Sequence, residues 1–422
     1  MTTSVSTPAA QPVRTPSARI GYLDAARAVA IIGMVLAHIA AFVELPAPIE
    51  NLVSGRSAIM FAILAGVSTT LIARSGAVTD RESLGYTNAS SSRNLLVRAG
   101  ILLLIGLTLP LISAGPIIIL STYAVLYLLA IPVLRLSTRA ITILAAITAF
   151  ATPLLSFWLR TTWPDTGEEI IIGGVPTVLS FTSVESTVQA FRQLLIDGMY
   201  PVLTWIPFLL AGIIIGRLIL NSRFTARVSA TAGALLALIA YGTSWALVHF
   251  TGFMSQRIAV YRQFDPSLAN ASDEELMDQF GTIAYTNFGV TDTNDARSLL
   301  LAAHHSGSIT EIIGGIGFTL LVLTGLALLE RYAAPVLAPF RTLGKMPLTY
   351  YVAHVIGFLV LMLTATTAPS LGMCLVFFIV IPMVFAAVWF HFFRRGPLEA
   401  VLHAAARRAS TPRQAKLETQ AK

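Results

Sequence analysis

Residues 21–42 read GYLDAARAVAIIGMVLAHIAAF and form the first long apolar run of the chain. Three ionisable side chains interrupt this run, and an ionisable group inside a membrane helix is expensive enough to indicate a function. A helix rises about 1.5 Å per residue, so Arg27 and His38 share one face about 16 Å apart, and Asp24 lies on the same side. The run therefore predicts a membrane helix with an acid and a base near one end and an imidazole near the other.

The composition extends this interpretation to the whole chain. Of its 422 residues, 55% are hydrophobic and only 12% are charged, whereas soluble domains carry about 25% charged residues. Apolar runs of about 20 residues recur along the sequence and predict an all-α, polytopic membrane protein with about ten transmembrane helices. The predicted spans lie near residues 22–43, 54–73, 94–113, 116–134, 140–159, 200–220, 228–250, 308–329, 346–367 and 371–393.

The basic residues predict the orientation of these spans. They concentrate in the segments that lie on one side of the membrane if both termini are cytoplasmic, which agrees with the positive-inside rule. The same distribution accounts for the net charge of +7 and argues against a nucleic acid partner. The single cysteine, Cys374, excludes an internal disulfide and a thiolate metal cluster, and no metal is expected.

The sequence divides into three predicted regions. Residues 1–19 are rich in Ser, Thr, Pro and Ala and predict a disordered cytoplasmic tail. Residues 20–396 form the predicted transmembrane domain, with long outer loops near residues 160–199 and 251–307. Residues 397–422 form a basic cytoplasmic tail. The expected location is the inner (plasma) membrane, where the chain is a multi-pass protein surrounded by the lipid bilayer.

Each polar residue of the first span has two interpretations. His38 is either a general base or proton relay, or a histidine hydrogen-bonded to a neighbouring helix. Arg27 either binds a phosphate or carboxylate, which a guanidinium suits, or extends along its aliphatic stem to the interface. Asp24 is then the salt-bridge partner of Arg27.

The stretch that opens the eighth span is residues 301–323, LAAHHSGSITEIIGGIGFTLLVL. His305 lies at the same predicted membrane depth as His38, so the two can face one cavity. Ser308 followed by Glu311 matches a capping box at a helix start. The alternative role for Glu311 is to bind the substrate.

Further candidates lie near the ends of other spans. Tyr350 and His354 are four residues apart on the ninth span and share a face, where they either bind substrate or pack as an interfacial tyrosine and a core histidine. Arg56, at the outer start of the second span, is a candidate substrate-binding charge beside His38.

Basic residues at the predicted cytoplasmic side form another candidate group. Arg27, Arg98 and Lys345 either line a pocket for a cytoplasmic polyphosphate or anchor their spans at the interface. The sequence contains no P-loop, dinucleotide-binding glycine fingerprint, zinc-ligand pattern or nucleophile elbow. Any chemistry is therefore expected from membrane-embedded histidines.

Two stretches resemble the transmembrane acyltransferase superfamily. LDAARAVAIIGMVLAH resembles the start of acyltransferase-3 proteins, in which an arginine is followed after ten residues by a catalytic histidine, as Arg27 is by His38. GRSAIMFAILAGVSTTL resembles the second span of that family, with Phe61 and Gly66 at the usual places.

Much of the remaining chain is similar to bacterial relatives of heparan-α-glucosaminide N-acetyltransferase. The similar stretches are residues 304–329, FRTLGKMPLTYYVAH and RRGPLEAVL. Two features depart from these patterns. Ala28 follows Arg27 where a glycine is usual, and the loop ELPAPIENLVSG lacks the histidine that heparan-type enzymes carry after the first span. The resemblance then assigns that role to His38 or His305.

The resemblance implies an integral membrane acyltransferase. Acetyl-CoA would bind from the cytoplasm, and a cell-envelope glycan or glycolipid, for example a trehalose-type glycolipid, would receive the acyl group on the outer side. His38 or His305 would act as base or nucleophile, and Arg27 would orient the donor. A proton-coupled transporter or flippase of an envelope lipid precursor is the alternative, and a non-catalytic envelope partner is a third. The sequence also leaves the oligomeric state open, and a homo-oligomer is one of the alternatives.

Overall fold

The computed structural model describes residues 19–76, 89–162, 174–264, 272, 288–365 and 367–410. Within these residues the chain is all-helical, and nine helical stretches are long and apolar enough to cross a membrane. The predicted all-α, polytopic membrane fold is therefore confirmed. The helices are α1 (Gly21–Ile39), α2 (Ala47–Val53), α3 (Arg56–Gly76), α4 (Ala89–Thr108), α5 (Leu120–Val133), α6 (Thr138–Thr162), α7 (Val184–Arg192), α8 (Val202–Leu220), α9 (Ala226–Phe250), α10 (Phe253–Phe264), α11 (Ile309–Ala333), α12 (Ala338–Leu343), α13 (Pro347–Thr364), α14 (Leu371–Phe392) and α15 (Pro397–Ser410).

Each of the ten predicted spans has a helical counterpart, but α5 has only 14 residues. The sequence predicted that this span begins at residue 116, whereas the helix begins at Leu120. Gly115 takes a left-handed backbone with φ +113°, and Pro116 has no N–H to donate to a helix. Because the first turn of α5 is buried inside the bundle, this helix contributes to the interior of the domain.

Helix α1 packs against α2, α3, α11, α12 and α13. Small side chains let neighbouring helices approach closely in lipid. Four alanines of α1 have no exposed surface: Ala25, Ala26, Ala28 and Ala30. At Gly344, between α12 and α13, a Cβ would overlap the backbone oxygen of Asp24. This end of α1 is therefore fixed by direct backbone packing.

The two ends of the bundle differ in chemistry. We call "basic end" the end at which α1 begins, where Arg27 and Arg98 lie. We call "histidine end" the opposite end, where His38, His304 and His305 lie. The face of α1 that carries Arg27 and His38 thus connects two chemically distinct regions.

The C-terminal helix α15 packs against α4 and α13. Part of the predicted basic tail is therefore a helix of the folded domain. Other predicted segments lie wholly or partly outside the described residues: the N-terminal tail at 1–18, the outer loops at 163–173, 265–271 and 273–287, and the end of the basic tail at 411–422.

Candidate active site

The acid–base pair of α1 is anchored at the basic end. Asp24 is 2% exposed and accepts hydrogen bonds from Arg27 Nη1 at 2.6 Å and from Arg19 Nε at 2.5 Å. Arg27 Nη2 donates to Ser68 Oγ on α3 at 3.0 Å. The predicted salt bridge is present. Because a guanidinium carries five N–H donors, these two contacts of Arg27 leave donors for a ligand.

A cavity of about 170 Å³ lies beside this pair, and we call it the basic-end cavity. Its lining includes the guanidiniums of Arg27 and Arg98, which the sequence predicted to share a pocket. Phe61 and Leu64 give it apolar walls, and Tyr351 also lines it. The cavity therefore combines positive charge with an apolar surface, which suits a ligand with an anionic part and an uncharged arm.

Glu399 of α15 brings a carboxylate to the same cavity. Its Oε1 accepts hydrogen bonds from Leu348 N–H at 2.7 Å and Thr349 N–H at 3.1 Å, and its Oε2 accepts one from Thr349 Oγ1 at 2.6 Å. The first N–H groups of a helix have no partner within it, and a carboxylate there also complements the helix dipole. Glu399 thus ties α15 to the start of α13 and makes the C-terminal helix part of the cavity wall.

A second cavity, of about 210 Å³, lies at the histidine end, and we call it the histidine-end cavity. His38 and His305, predicted to face one cavity, both line it together with His304. The ring of His38 stacks on that of His354, with centroids 5.5 Å apart and planes inclined by 7°. The ring of His305 meets Tyr200 edge-on at 5.5 Å. Aromatic contacts thus orient both imidazoles.

Glu311 holds the loop that carries His305. Its carboxylate accepts hydrogen bonds from His305 N–H at 2.6 Å, Gly307 N–H at 2.6 Å and Ser306 Oγ at 3.1 Å. The backbone of His305 is left-handed, with φ 57°, which costs a non-glycine residue about 1–3 kcal/mol. The predicted helix start is present, since Ser308 Oγ accepts Glu311 N–H at 3.0 Å. Glu311 therefore positions His305 in addition to starting α11.

Burial lowers the pKa of both loop histidines, which precede α11. The pKa of His304 falls to about 4, mainly because burial disfavours the imidazolium and also because Arg56 repels it. The pKa of His305 falls to about 3, mainly through burial and then through repulsion by His304 and His38. Both side chains are therefore neutral at physiological pH, in the form that can accept a proton.

Five predicted site residues line neither cavity: Arg56, Glu311, Lys345, Tyr350 and His354. Glu311 and His354 contact the cavity-lining His305 and His38, whereas the other three have partners elsewhere. The hydroxyl of Tyr350 donates to the carbonyl oxygen of Phe378 at 2.7 Å. The ammonium of Lys345 lies over an aromatic ring of α14, 5.4 Å from its centroid. Arg56 Nε donates to Tyr241 Oη at 3.0 Å, and its guanidinium lies over the same ring. These contacts support packing roles for all three residues.

Tyr351 was not among the predicted site residues, although it lines both cavities. It is 2% exposed and its ring meets that of His354 edge-on at 5.0 Å. Its spacing of four residues from His354 favours the neighbouring Tyr350, but the rotation of α13 turns Tyr351 towards the cavities. The signal in the sequence was the pair of tyrosines, which does not identify the member that faces inward.

Two family models match the chain. Residues 19–252 match the model described as heparan-alpha-glucosaminide N-acetyltransferase, catalytic. Residues 281–409 match the model described as protein of unknown function (DUF418). No curated protein matches the chain. Each cavity takes residues from both matched regions. Within the described part of the chain, no group of three or more His, Cys, Asp or Glu side chains is placed to hold a metal ion.

Proposed function

Because the chain belongs to the heparan-alpha-glucosaminide N-acetyltransferase catalytic family, a family of membrane acetyltransferases, we propose that it transfers an acetyl group from acetyl-CoA to a sugar hydroxyl or amine. The donor binds in the basic-end cavity, and the acceptor, a cell-envelope glycan or glycolipid, binds in the histidine-end cavity. The observation that carries the proposal is that both cavities are lined by one residue, Tyr351. This arrangement supports transfer between ligands held at opposite ends of the bundle.

The lining of the basic-end cavity supports the choice of donor. Arg27 and Arg98 offer guanidiniums, which suit bidentate recognition of phosphate groups. Phe61 and Leu64 offer an apolar surface to an uncharged arm and exclude water from it. Acetyl-CoA supplies the acetyl group as a thioester. Asp24 fixes the guanidinium of Arg27, so Arg27 can orient the donor without first ordering its own side chain.

In the histidine-end cavity an imidazole acts as the base. His38 takes the proton from the acceptor hydroxyl or amine as the acceptor atom forms a bond to the thioester carbon. The C–S bond breaks, the sulfur leaves as a thiolate that is protonated by water, and His38 returns its proton to water. His354 holds the plane of the His38 ring. His305, held by Glu311 in the same cavity, is the alternative base.

The charges support an orientation as part of the proposal. The basic end faces the cytoplasm, as the positive-inside rule favours, and acyl-CoA thioesters are found there. The histidine end faces the cell envelope, where the acceptor lies. The protein then resides in the inner (plasma) membrane and moves an acetyl group outward, while the phosphates of the donor stay at the cytoplasmic side and its uncharged arm reaches towards His38.

The test uses the purified full chain in lipid nanodiscs, acetyl-CoA with a radiolabelled acetyl group, and a total glycolipid extract as the acceptor source. We expect the wild type to label a component of the extract and His38→Ala to abolish labelling. The matched control is His249→Ala, which changes an exposed histidine outside both cavities and is expected to keep the activity. Loss in His305→Asn together with retention in His38→Ala would assign the base to His305.

Two results would contradict the proposal. One is a wild-type protein that binds no acetyl-CoA and labels no acceptor. The other is uptake of an amphiphilic solute that follows an imposed proton gradient without any acetylation, which would identify a transporter.

A further inference from the structure

The hydroxyl of Tyr351 differs in its hydrogen bonding from those of Tyr123 and Tyr200. Tyr351 shares the basic-end cavity with Tyr123 and the histidine-end cavity with Tyr200. The hydroxyl of Tyr123 donates to the carbonyl oxygen of Ala58 at 3.2 Å, and that of Tyr200 donates to the carbonyl oxygen of Ile117 at 3.4 Å. A phenol has a single proton to donate, so both neighbours have used theirs on the backbone.

The hydrogen bond of Tyr351 runs in the opposite direction. Its oxygen accepts the N–H of Ile119 at 3.3 Å, and no acceptor for its own proton occurs among the described residues. Because Ile119 occupies one side of the oxygen, the O–H remains available on another side. An N–H that donates to a hydroxyl also polarises it and makes it a stronger donor. Tyr351 therefore brings to both cavities a buried hydroxyl whose proton has no acceptor among the described residues.

The chemistry of acyl transfer requires a donor of this kind. When an acceptor attacks a thioester, negative charge develops on the carbonyl oxygen, and a preorganised hydrogen-bond donor at that oxygen stabilises the transition state. The ring of Tyr351 is held in place by burial and by its edge-on contact with His354 at 5.0 Å. Its position therefore needs little reorganisation when the charge forms.

We infer that Tyr351 is a catalytic residue, whose hydroxyl donates a hydrogen bond to the carbonyl oxygen of the acetyl group while that group passes between the cavities. This inference rests on the proposed function. The acceptor–carbon bond forms, the C–S bond breaks, and the acceptor's proton goes to the His38 imidazole. Tyr351 keeps its own proton throughout, so its part in the reaction is electrostatic.

The first experiment measures the hydrogen bond itself. Acetyl-CoA with ¹³C at the thioester carbonyl is bound without an acceptor to the full chain in nanodiscs, in a His38→Ala background that prevents transfer. Isotope-edited infrared spectroscopy is expected to show the carbonyl band at a lower wavenumber than in free acetyl-CoA. Adding Tyr351→Phe is expected to remove this shift. The matched control, Tyr350→Phe, loses a hydroxyl that donates to the carbonyl oxygen of Phe378. This variant is expected to retain the shift of the carbonyl band.

A second replacement covers the case in which Tyr351→Phe does not fold. Replacing Tyr351 with 3-fluorotyrosine keeps the ring and makes the hydroxyl a stronger donor, so the band is expected to move further in the same direction. A band that stays at the position of free acetyl-CoA in the His38→Ala protein overturns the inference. A carbonyl band whose position is unchanged by both Tyr351→Phe and the 3-fluorotyrosine replacement also overturns the inference.

Kinetics separate this inference from the proposed function. We expect Tyr351→Phe to lower kcat about a hundredfold and to leave KM for acetyl-CoA unchanged, because the hydrogen bond strengthens mainly in the transition state. If the wild type transfers acetyl groups and Tyr351→Phe matches it in kcat, only the inference fails. If the wild type transfers none, the proposed function fails, and the infrared measurement still decides whether Tyr351 contacts the carbonyl.

Discussion

Replacing Glu311 with glutamine tests how strongly the loop of His305 depends on one carboxylate. Glu311 accepts hydrogen bonds from the His305 and Gly307 N–H groups and from the Ser306 hydroxyl. A glutamine side chain keeps one acceptor oxygen and presents an NH₂ group in place of the other. At least one of the three donors then faces another donor, and the remaining bonds become bonds to a neutral group.

The magnitude follows from this change in hydrogen bonding. A hydrogen bond to a charged group contributes about 1.5–3 kcal/mol, and a neutral one contributes about half as much. With about 1.5 kcal/mol for each charged hydrogen bond, losing one bond and halving two others removes about 3 kcal/mol of stabilisation. A neutral amide is easier to bury than a carboxylate, so we expect a net loss of about 2 kcal/mol. This loss increases the population of the opened loop about thirtyfold.

Hydrogen exchange measured by mass spectrometry reports the opening directly. We expect faster exchange in the peptide that contains His305 and Gly307, together with a lower acetyl transfer rate, because His305 leaves its left-handed backbone conformation. The matched control is Glu330→Gln near the other end of α11, where the carboxylate accepts Tyr22 N–H at 2.8 Å and contacts neither cavity. Wild-type exchange in Glu311→Gln would refute the positioning role of this carboxylate.

Two further predictions concern stability. The folded-state pKa of His304, about 4, and that of His305, about 3, lie below the ordinary value near 6.5. At a pH between the folded-state values and 6.5, the unfolded chain therefore binds more protons than the folded chain. The thermal unfolding midpoint is expected to fall as pH drops from about 6.5 towards 4. An equally steep fall in His305→Asn would contradict the assignment of this pH dependence to the loop histidines. At Gly212, a Cβ would overlap the carbonyl oxygen of Ile63 on α3. Gly212→Ala is expected to destabilise the protein by about 1–3 kcal/mol in chemical denaturation, whereas Gly242→Ala, with open space at that position, should not.

The apolar runs predicted the fold because lipid leaves the backbone few alternatives. A spanning segment must satisfy its own N–H and C=O groups, so about 20 apolar residues are sufficient to predict a helix. The prediction was inaccurate where this constraint is relaxed. Helix α5 begins inside the protein, so the turn at Gly115 and Pro116 set its start and length. Helix α15 is polar enough to resemble a tail, and its place in the cavity wall depends on Glu399.

The candidate site was only partly predictable, because a helix that is apolar all round does not reveal which side faces the protein interior. On α1, the stripe of ionisable residues removed this ambiguity, and Arg27 and His38 do line the two cavities. On α13, the choice between Tyr350 and Tyr351 depended on a rotation of about 100°, which hydropathy cannot determine. The charge of Arg56 predicts a contact with substrate, but its partner Tyr241 lies 185 positions away, beyond any local pattern.

The separation of Arg27 and His38 also limits the kind of donor that fits the proposed reaction. Both lie on the continuous helix α1, eleven positions and therefore about 16 Å apart along its axis. A small donor that carries its acetyl group directly on a phosphate cannot place the anion at Arg27 and the acetyl group near His38 at once. A thioester with a long uncharged arm between its phosphates and its acetyl group can do both. The apolar wall of the basic-end cavity borders the path of such an arm, so the geometry favours acetyl-CoA over acetyl phosphate.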